Sequence, residues 1–136
     1  MFLNPFEEKG SWFKGNLHTH STHSDGTFQP EELIDGFRKH GYHFLAMTDH
    51  GRVAPQIRGE NFMVISGVEL TENGAHEVWL NPDVSSYGRT FVTGEDLPVT
   101  AQTLKVLCHP YWSCLTAADM QALHGFFAVE IFNTIT

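Results

Sequence analysis

The segment GNLHTHSTHSDG (residues 15–26) joins a short apolar stretch to a dense group of histidines. His18 and His20 stand two residues apart, and an extended backbone places both imidazoles on one face, within reach of a single metal ion. Gly26 permits a tight turn, which can bring the carboxylate of Asp25 back toward His20. The segment therefore predicts a metal site where a short strand gives way to a loop.

Short apolar stretches alternate with predicted helices along the rest of the chain. Pro30 begins a helix, with Glu31 and Glu32 at the positive end of its dipole, and Gly41 ends it. A second helix is expected to begin at a capping box that opens with Thr116. This alternation favours an α/β domain with a mostly parallel sheet. The expected strands cover residues 13–18, 44–48, 62–66, 76–80, 104–108 and 127–132.

Side chains of metal-binding type lie at the ends of these predicted strands. In parallel α/β folds the carboxyl ends of the strands form one rim, so these side chains should converge. Adjacent residues of an extended chain face opposite ways, so we expect His50 to be a ligand and Asp49 to orient another ligand. Cys108 is expected to pack on the face opposite to His109. The candidate ligands are His18, His20, Asp25, His50, Glu69, His76 and His109.

Composition and charge limit the class of protein. The 136 residues, 41% of them hydrophobic, suit a single domain over residues 1–136. The net charge of −8 argues against direct nucleic-acid binding, which depends on Lys and Arg at phosphates. We see no apolar run long enough for a membrane span and no apolar leader, so we expect a cytoplasmic protein without membrane contact. Both cysteines, Cys108 and Cys114, are expected to be free, partly buried thiols. The other histidines are expected either at the surface or behind the ligands: His23, His40, His43 and His124.

The motifs, taken in order, resemble those of the PHP family, named for polymerase-associated and histidinol-phosphatase-type domains. They are HTHSTHSDG (18–26), TDH (48–50), GVE (67–69), His76, CHPYW (108–112) and VEIFN (129–133). The resemblance implies a distorted seven-stranded (β/α) barrel. It also implies two to three divalent ions (Zn, Mn or Fe) at the C-terminal rim, held by the seven candidate ligands, and hydrolysis of phosphate esters.

One departure from the family pattern concerns its last motif, D-x-H, which supplies two further ligands. No D-x-H occurs in these 136 residues. We therefore expect an incomplete barrel, truncated at its C-terminus, as a fragment of a longer protein. A reduced form, or a domain completed by a partner chain, is the alternative. An unclosed barrel exposes a sheet edge, which favours self-association.

The function expected from the resemblance is that of a metal-dependent phosphoesterase. Metal-activated water would attack a phosphate monoester or diester in a phosphorylated small molecule or nucleotide. Asp25, His50 and Arg52 are the candidate catalytic residues, with Arg52 contacting a phosphate oxygen and Asn133 lining the site. The alternatives are an inactive metal-binding remnant and a metal-dependent C–N hydrolase. Against the latter, no lysine suited to carbamylation ends a predicted strand.

Overall fold

The computed structural model describes residue 4, residues 6–72 and residues 74–133 of the chain. Within these ranges, strands and helices follow one another in an order close to the predicted one. The strands are β1 (Gly15–Asn16), β2 (Phe44–Met47), β3 (Ile57–Arg58), β4 (Met63–Glu72), β5 (Ala75–Leu80), β6 (Leu104–Cys108) and β7 (Ala128–Val129). The helices are α1 (Pro30–Lys39) and α2 (Ala117–Ala122), with short 3-10 helices at Val84–Ser86 and Gly94–Asp96.

The described strands form one curled sheet in the order β1-β2-β4-β5-β6-β7, with β3 beside the start of β4. β1, β2 and β4 run parallel to one another, and β7 runs parallel to β6. The β3–β4, β4–β5 and β5–β6 pairs are antiparallel, so the expectation of a mostly parallel sheet is wrong. Only residues 73 and 74 separate β4 from β5, and so short a connection can join only antiparallel neighbours.

β4 is longer than predicted because Gly67 does not end it. Its first four residues pair with β2, and past Gly67 the strand pairs with β5 as far as Glu72. A Cβ atom at Gly67 would lie 2.8 Å from Cγ2 of Thr48 and 3.0 Å from the carbonyl oxygen of Met47. The glycine therefore marks a close approach between two chain segments, and Glu69 lies within β4 rather than after it.

β1 and β7 stand at the two ends of the strand order, and no backbone pairing joins them within the described residues. Each pairs with a single neighbour, and each is shorter than the stretch predicted for it. A cavity of about 870 Å³ opens between them and is lined by apolar side chains such as Ile65, Val78 and Val106. The mixed sheet is thus a half-barrel with an open interior.

The first helix, α1, packs against β2. Pro30 is its first residue as predicted, and Gly41 follows its end with a φ of +74°. The apolar side chains Leu33, Ile34 and Phe37 pack on a buried cluster that includes Leu45 and Met47. This contact holds the loop between β1 and α1 close to the end of β2. None of the described helices is both long and apolar enough to cross a lipid bilayer.

Residues 81–103, which carry no recognisable motif, cover one face of the β4–β5 hairpin. Val92 from this segment is buried in one cluster with Val68 of β4 and Trp79 of β5. Successive residues of a strand face opposite sides, so Glu69 faces away from this cluster. The segment thus covers one face of the hairpin, and the opposite face carries Glu69 and His76 beside apolar side chains such as Val78.

The second helix, α2, begins with the predicted capping box. Oγ1 of Thr116 accepts from the backbone N–H of Asp119 at 3.2 Å, and Oδ2 of Asp119 accepts from the backbone N–H of Thr116 at 2.8 Å. Thr116→Ala removes the accepting hydroxyl, so we expect the free energy of unfolding to fall by about 1 kcal/mol. Urea unfolding followed by circular dichroism measures this change. A fall no larger than that of Thr90→Ala, at an exposed threonine, would contradict the prediction.

Candidate metal centre

Glu69 lies at the centre of a cluster of imidazoles, with its side chain only 1% exposed. Its Oε1 lies 2.8 Å from Nδ1 of His76 and 3.1 Å from Nε2 of His109. Its Oε2 lies 2.9 Å from Nε2 of His18 and 2.8 Å from Nε2 of His20. Five of the predicted ligands therefore meet at one carboxylate.

These side chains reach the cluster from different parts of the sheet. His18 and His20 lie in the loop after β1, and His109 directly follows β6. His76 comes instead from the start of the antiparallel β5, and Glu69 comes from within β4. The sequence had predicted a site built only from the ends of strands. The site also uses the beginning of β5, because the β4–β5 hairpin brings His76 beside Glu69.

Asp25 and His50 form the outer edge of the cluster. Oδ1 of Asp25 lies 3.3 Å from Nδ1 of His20, and its Oδ2 lies 3.7 Å from Nε2 of His50. Nδ1 of His50 lies 3.7 Å from Oε2 of Glu69. The turn at Gly26 packs directly on the backbone of His20, which brings Asp25 to that histidine. All seven predicted ligands thus belong to one connected cluster.

Asp49 points away from the imidazoles and is buried. Its Oδ1 accepts from the backbone N–H of Ser21 at 2.7 Å and from Oγ of Ser24 at 2.9 Å. Its Oδ2 accepts from Oγ of Ser21 at 2.8 Å. Oγ of Ser24 also lies 3.3 Å from Nδ1 of His20. Asp49 therefore orients Ser24, and Ser24 in turn contacts the imidazole of His20.

Arg52 and the four histidines predicted at the surface lie outside the cluster. Arg52 pairs through its backbone with Thr90 and is not among the described residues that line the cavity above the cluster. A contact between Arg52 and a bound phosphate stays a prediction. The four histidines expected at the surface are exposed: His23, His40, His43 and His124.

Glu130 belongs to the cluster, although the sequence did not predict a role for it. Its Oε1 lies 3.2 Å from Nδ1 of His18, and its Oε2 accepts from the backbone N–H of His109 at 2.9 Å. Asn133 lines the same cavity and donates to both oxygens of Glu130 at 3.3 Å. The available signal was the VEIFN motif, in which a single carboxylate interrupts an apolar stretch.

Cys108 is buried and packs with Ala46 and Val78. It pairs with His76 of β5 and therefore lies on the face of β6 that carries the cluster, so the expectation that it lies opposite to His109 is wrong. The alternation of the strand ends at His109, whose φ is +24°.

Sγ of Cys108 lies within 4.8 Å of a donor atom of His18 and of Glu130. Burial raises the pKa of the Cys108 thiol, which disfavours the thiolate that a metal ion binds. Both cysteines are free thiols as predicted, but Cys114 is exposed rather than partly buried.

The cluster concentrates negative charge on two carboxylates. Burial alone would raise the pKa of Glu69, but hydrogen bonds from its histidine neighbours, His18 first, hold that pKa well below its ordinary value. Burial alone would lower the pKa of His18, yet contacts with Cys108, Glu130 and Glu69 outweigh burial and raise the pKa to about 12. The space between Glu69 and Glu130 therefore favours positive charge.

The donor set fits divalent metal ions. Nε2 of His18 and Nε2 of His20 face each other at 3.0 Å, and both face the same oxygen of Glu69. Two imidazole nitrogens at that distance need a proton or a cation between them, because their lone pairs otherwise repel. A mixture of imidazole and carboxylate ligands suits Zn, Mn or Fe. Two groups of three donor atoms within 4.8 Å of one another share Glu69: His18–Glu69–His109 and His20–His50–Glu69.

The cluster opens into a cavity of about 680 Å³. The wall of this cavity includes Trp112 and Phe132, whose side chains are 60% and 77% exposed. The ring of Trp112 lies edge-on to two imidazoles, with its centroid 5.1 Å from that of His109 and 5.4 Å from that of His76. A small substrate in the cavity would therefore meet both the cluster and exposed aromatic surface.

Comparison with known proteins agrees with the motifs. The family model of the PHP domain matches residues 16–121. The DNA polymerase/3'-5' exonuclease PolX of Bacillus subtilis is 34% identical over 77 residues, which cover 42% of this chain and 14% of that protein. A 5'-3' exoribonuclease of Haemophilus influenzae is 38% identical over 80 residues, which cover 52% of this chain and 29% of that protein. The chain thus matches less than a third of either relative's length. Since the family model covers most of its residues, the chain belongs to the PHP domain family.

Proposed function

We propose that the chain is a metal-dependent phosphoesterase that hydrolyses a phosphate monoester or diester. The observation that carries this proposal is the buried carboxylate of Glu69, whose two oxygens contact four imidazoles beneath an open cavity. PHP domains are generally metal-dependent phosphoesterases. The two relatives carry the names of nucleases, which cleave phosphodiesters.

The proposal assigns different roles to different residues of the cluster. Divalent ions would be held by His18, His20, Asp25, His50, Glu69, His76 and His109. When bound, such ions polarise a phosphoryl oxygen and make a coordinated water acidic enough to react near neutral pH. Asp25 and His50, at the outer edge, can hold a proton or orient that water. Asn133 lies on the wall of the cavity that would hold the substrate.

The metal content of the purified chain tests this proposal first. We expect about two or more equivalents of Zn, Mn or Fe by elemental mass spectrometry, as in multi-ion hydrolytic sites. We also expect hydrolysis of bis(p-nitrophenyl) phosphate or p-nitrophenyl phosphate that EDTA abolishes and added metal restores. His109→Ala should lower the metal content, whereas His43→Ala, at an exposed histidine, should not.

Other outcomes of the same experiment would contradict the proposal. Tight metal binding without hydrolysis of any phosphoester would indicate an inactive metal-binding domain. Turnover of amides without turnover of phosphoesters would indicate a C–N hydrolase. A folded chain that takes up no metal on titration would exclude each of these metal-dependent functions.

We further infer that the substrate carries a planar ring, as a nucleotide does, because Trp112 and Phe132 are exposed on the cavity wall. Trp112→Ala should raise KM about tenfold for a nucleotide, since stacking of a base on an aromatic side chain contributes about 1–3 kcal/mol. KM for glycerol phosphate should stay unchanged. Trp12→Ala, at another exposed tryptophan, is the control. An equal change for both substrates would contradict the inference.

Two expectations about the fold stay predictions: that the chain is a truncated form of the distorted (β/α)7 barrel, and that it self-associates through its open edge. Phe127 and Ile131, on either side of β7, are 72% and 96% exposed. Because β7 is an edge strand of the described sheet, this apolar surface favours contact with a second copy.

A further inference from the structure

We propose that Glu130 is a positioning residue that holds two metal ligands, His18 and His109, in the orientation that binds the ion. The inference rests on the proposed metal site, but no motif interpretation assigned Glu130 a part in it. The side chain of Glu130 is 17% exposed and lies just after β7, at the end of the sheet opposite to β1.

The two oxygens of Glu130 contact the two ligands separately. Oε1 lies 3.2 Å from Nδ1 of His18, on the side of the imidazole away from Glu69. Oε2 accepts from the backbone N–H of His109 at 2.9 Å. One carboxylate thus contacts a ligand that follows β1 and a ligand that follows β6.

The first contact determines which nitrogen of His18 can bind a metal ion. An ionised carboxylate only accepts hydrogen bonds, so Nδ1 of His18 must donate to Glu130 and carry a proton. In the neutral imidazole the lone pair is then on Nε2, the atom that faces Glu69 and His20. A carboxylate behind a histidine ligand fixes the tautomer and orientation of the ring in this way.

The second contact holds a backbone conformation that is uncommon for a residue with a side chain. His109 has a φ of +24°, outside the main regions that L residues adopt. It comes directly after the buried end of β6, and its Nε2 reaches Oε1 of Glu69. The hydrogen bond from its N–H to Glu130 holds the backbone in this conformation, which directs the imidazole toward the cluster.

Only a carboxylate can make both contacts as acceptor. In Glu130→Gln, one of the two oxygens becomes an NH2 group of almost the same size. If the NH2 group faces Nδ1 of His18, the proton moves to Nε2 and the ligand atom is lost. If it faces the backbone N–H of His109, two donors oppose each other. The conservative Glu130→Asp keeps two acceptors on a shorter side chain, so it should retain part of the metal affinity that Glu130→Gln loses.

Titration of the full chain with Co²⁺, followed by visible absorption, tests the proposal. Glu130→Gln should bind Co²⁺ about 10–100-fold more weakly, as expected for loss of a carboxylate behind a histidine ligand. The number of ions bound at saturation should stay unchanged, the d–d bands should shift, and Glu130→Asp should bind with intermediate affinity. Glu77→Gln is the matched control, because Glu77 is a buried carboxylate in β5 whose partner is Trp79.

A second measurement needs no variant and therefore does not depend on how Glu130→Gln folds. In the Zn²⁺-loaded chain, ¹⁵N chemical shifts should show His18 protonated at Nδ1. Protonation at Nε2 would overturn the proposal, as would unchanged Co²⁺ affinity in Glu130→Gln. Loss of one bound ion at saturation would make Glu130 a ligand instead, which also overturns the positioning role. A failure of the proposed function is recognised separately, because the unaltered chain would then bind no metal. A failure of the role of Glu130 alone would leave metal binding by the unaltered chain intact.

Discussion

Glu69→Gln is expected to abolish tight metal binding, and phosphoester hydrolysis with it, while the side chain keeps its shape. The amide has one acceptor oxygen, so its NH2 group must face either His18 and His20 or His76 and His109. The negative charge that attracts the cation is lost at the same time. Metal affinity should fall by more than the roughly 10–100-fold expected for a residue behind a ligand. Competition with a chromophoric chelator measures the affinity.

Glu77→Gln is again the control for this prediction. Glu77 is buried on the opposite face of the hairpin and accepts from Nε1 of Trp79 at 2.8 Å. The amide oxygen of glutamine can accept the same bond, so metal affinity should match that of the unaltered chain. Affinity in Glu69→Gln that stays within about tenfold of the unaltered chain would show that Glu69 is not a ligand.

Gly26→Ala should disrupt the turn that places Asp25. A Cβ atom at position 26 would lie 2.1 Å from the carbonyl oxygen of His20, far inside contact distance. The turn must open, and the bond from the N–H of Gly26 to the carbonyl of Ser21, now 2.9 Å, is lost. We expect a loss of about 2–3 kcal/mol in the free energy of unfolding, as for overpacked sites, together with weaker metal binding.

Gly36→Ala is the control for Gly26→Ala, and we expect it to change the free energy of unfolding in the opposite direction. Gly36 lies inside α1, and a Cβ atom there would meet nothing within 4 Å. Alanine in a helix interior is more favourable than glycine by about 0.5–1 kcal/mol, so this variant should be stabilised. Thermal or urea unfolding compares the two variants. Equal stability of Gly26→Ala and Gly36→Ala would contradict the steric argument.

The sequence predicted the location of the candidate site better than the sheet that carries it. Motifs such as HTH and SDG contain both the ligand and the local geometry that directs it, so the contacts of His18, His20 and Asp25 could be anticipated. The boundaries of α1 were predictable for the same reason, since Pro30 and Gly41 act locally. The ligand roles themselves await the metal measurements.

Other features could not be predicted because they depend on contacts between distant parts of the chain. These are the length of β4, the role of Glu130 and the packing of residues 81–103. Gly67 looks like a strand end in the sequence, yet β4 continues because β5 pairs with it from the other side of a short turn. Glu130 gives little local signal, since its two histidine partners are 112 and 21 residues away in the sequence. Residues 81–103 show no periodicity because their burial against the hairpin follows from tertiary packing.

The contact between His18 and Glu130 has a mechanical consequence for the unclosed sheet. The two residues follow β1 and β7, the strands that no backbone hydrogen bond joins within the described residues. An ion bound to both His18 and His109 would add a second link across this seam, because His109 follows β6, the strand that pairs with β7. Ligand binding stabilises a folded protein by about 2.7 kcal/mol when the free ligand is at 100 times its Kd. Chelation should accordingly speed hydrogen exchange and proteolysis at both edges of the sheet, well beyond the loops that touch the ion.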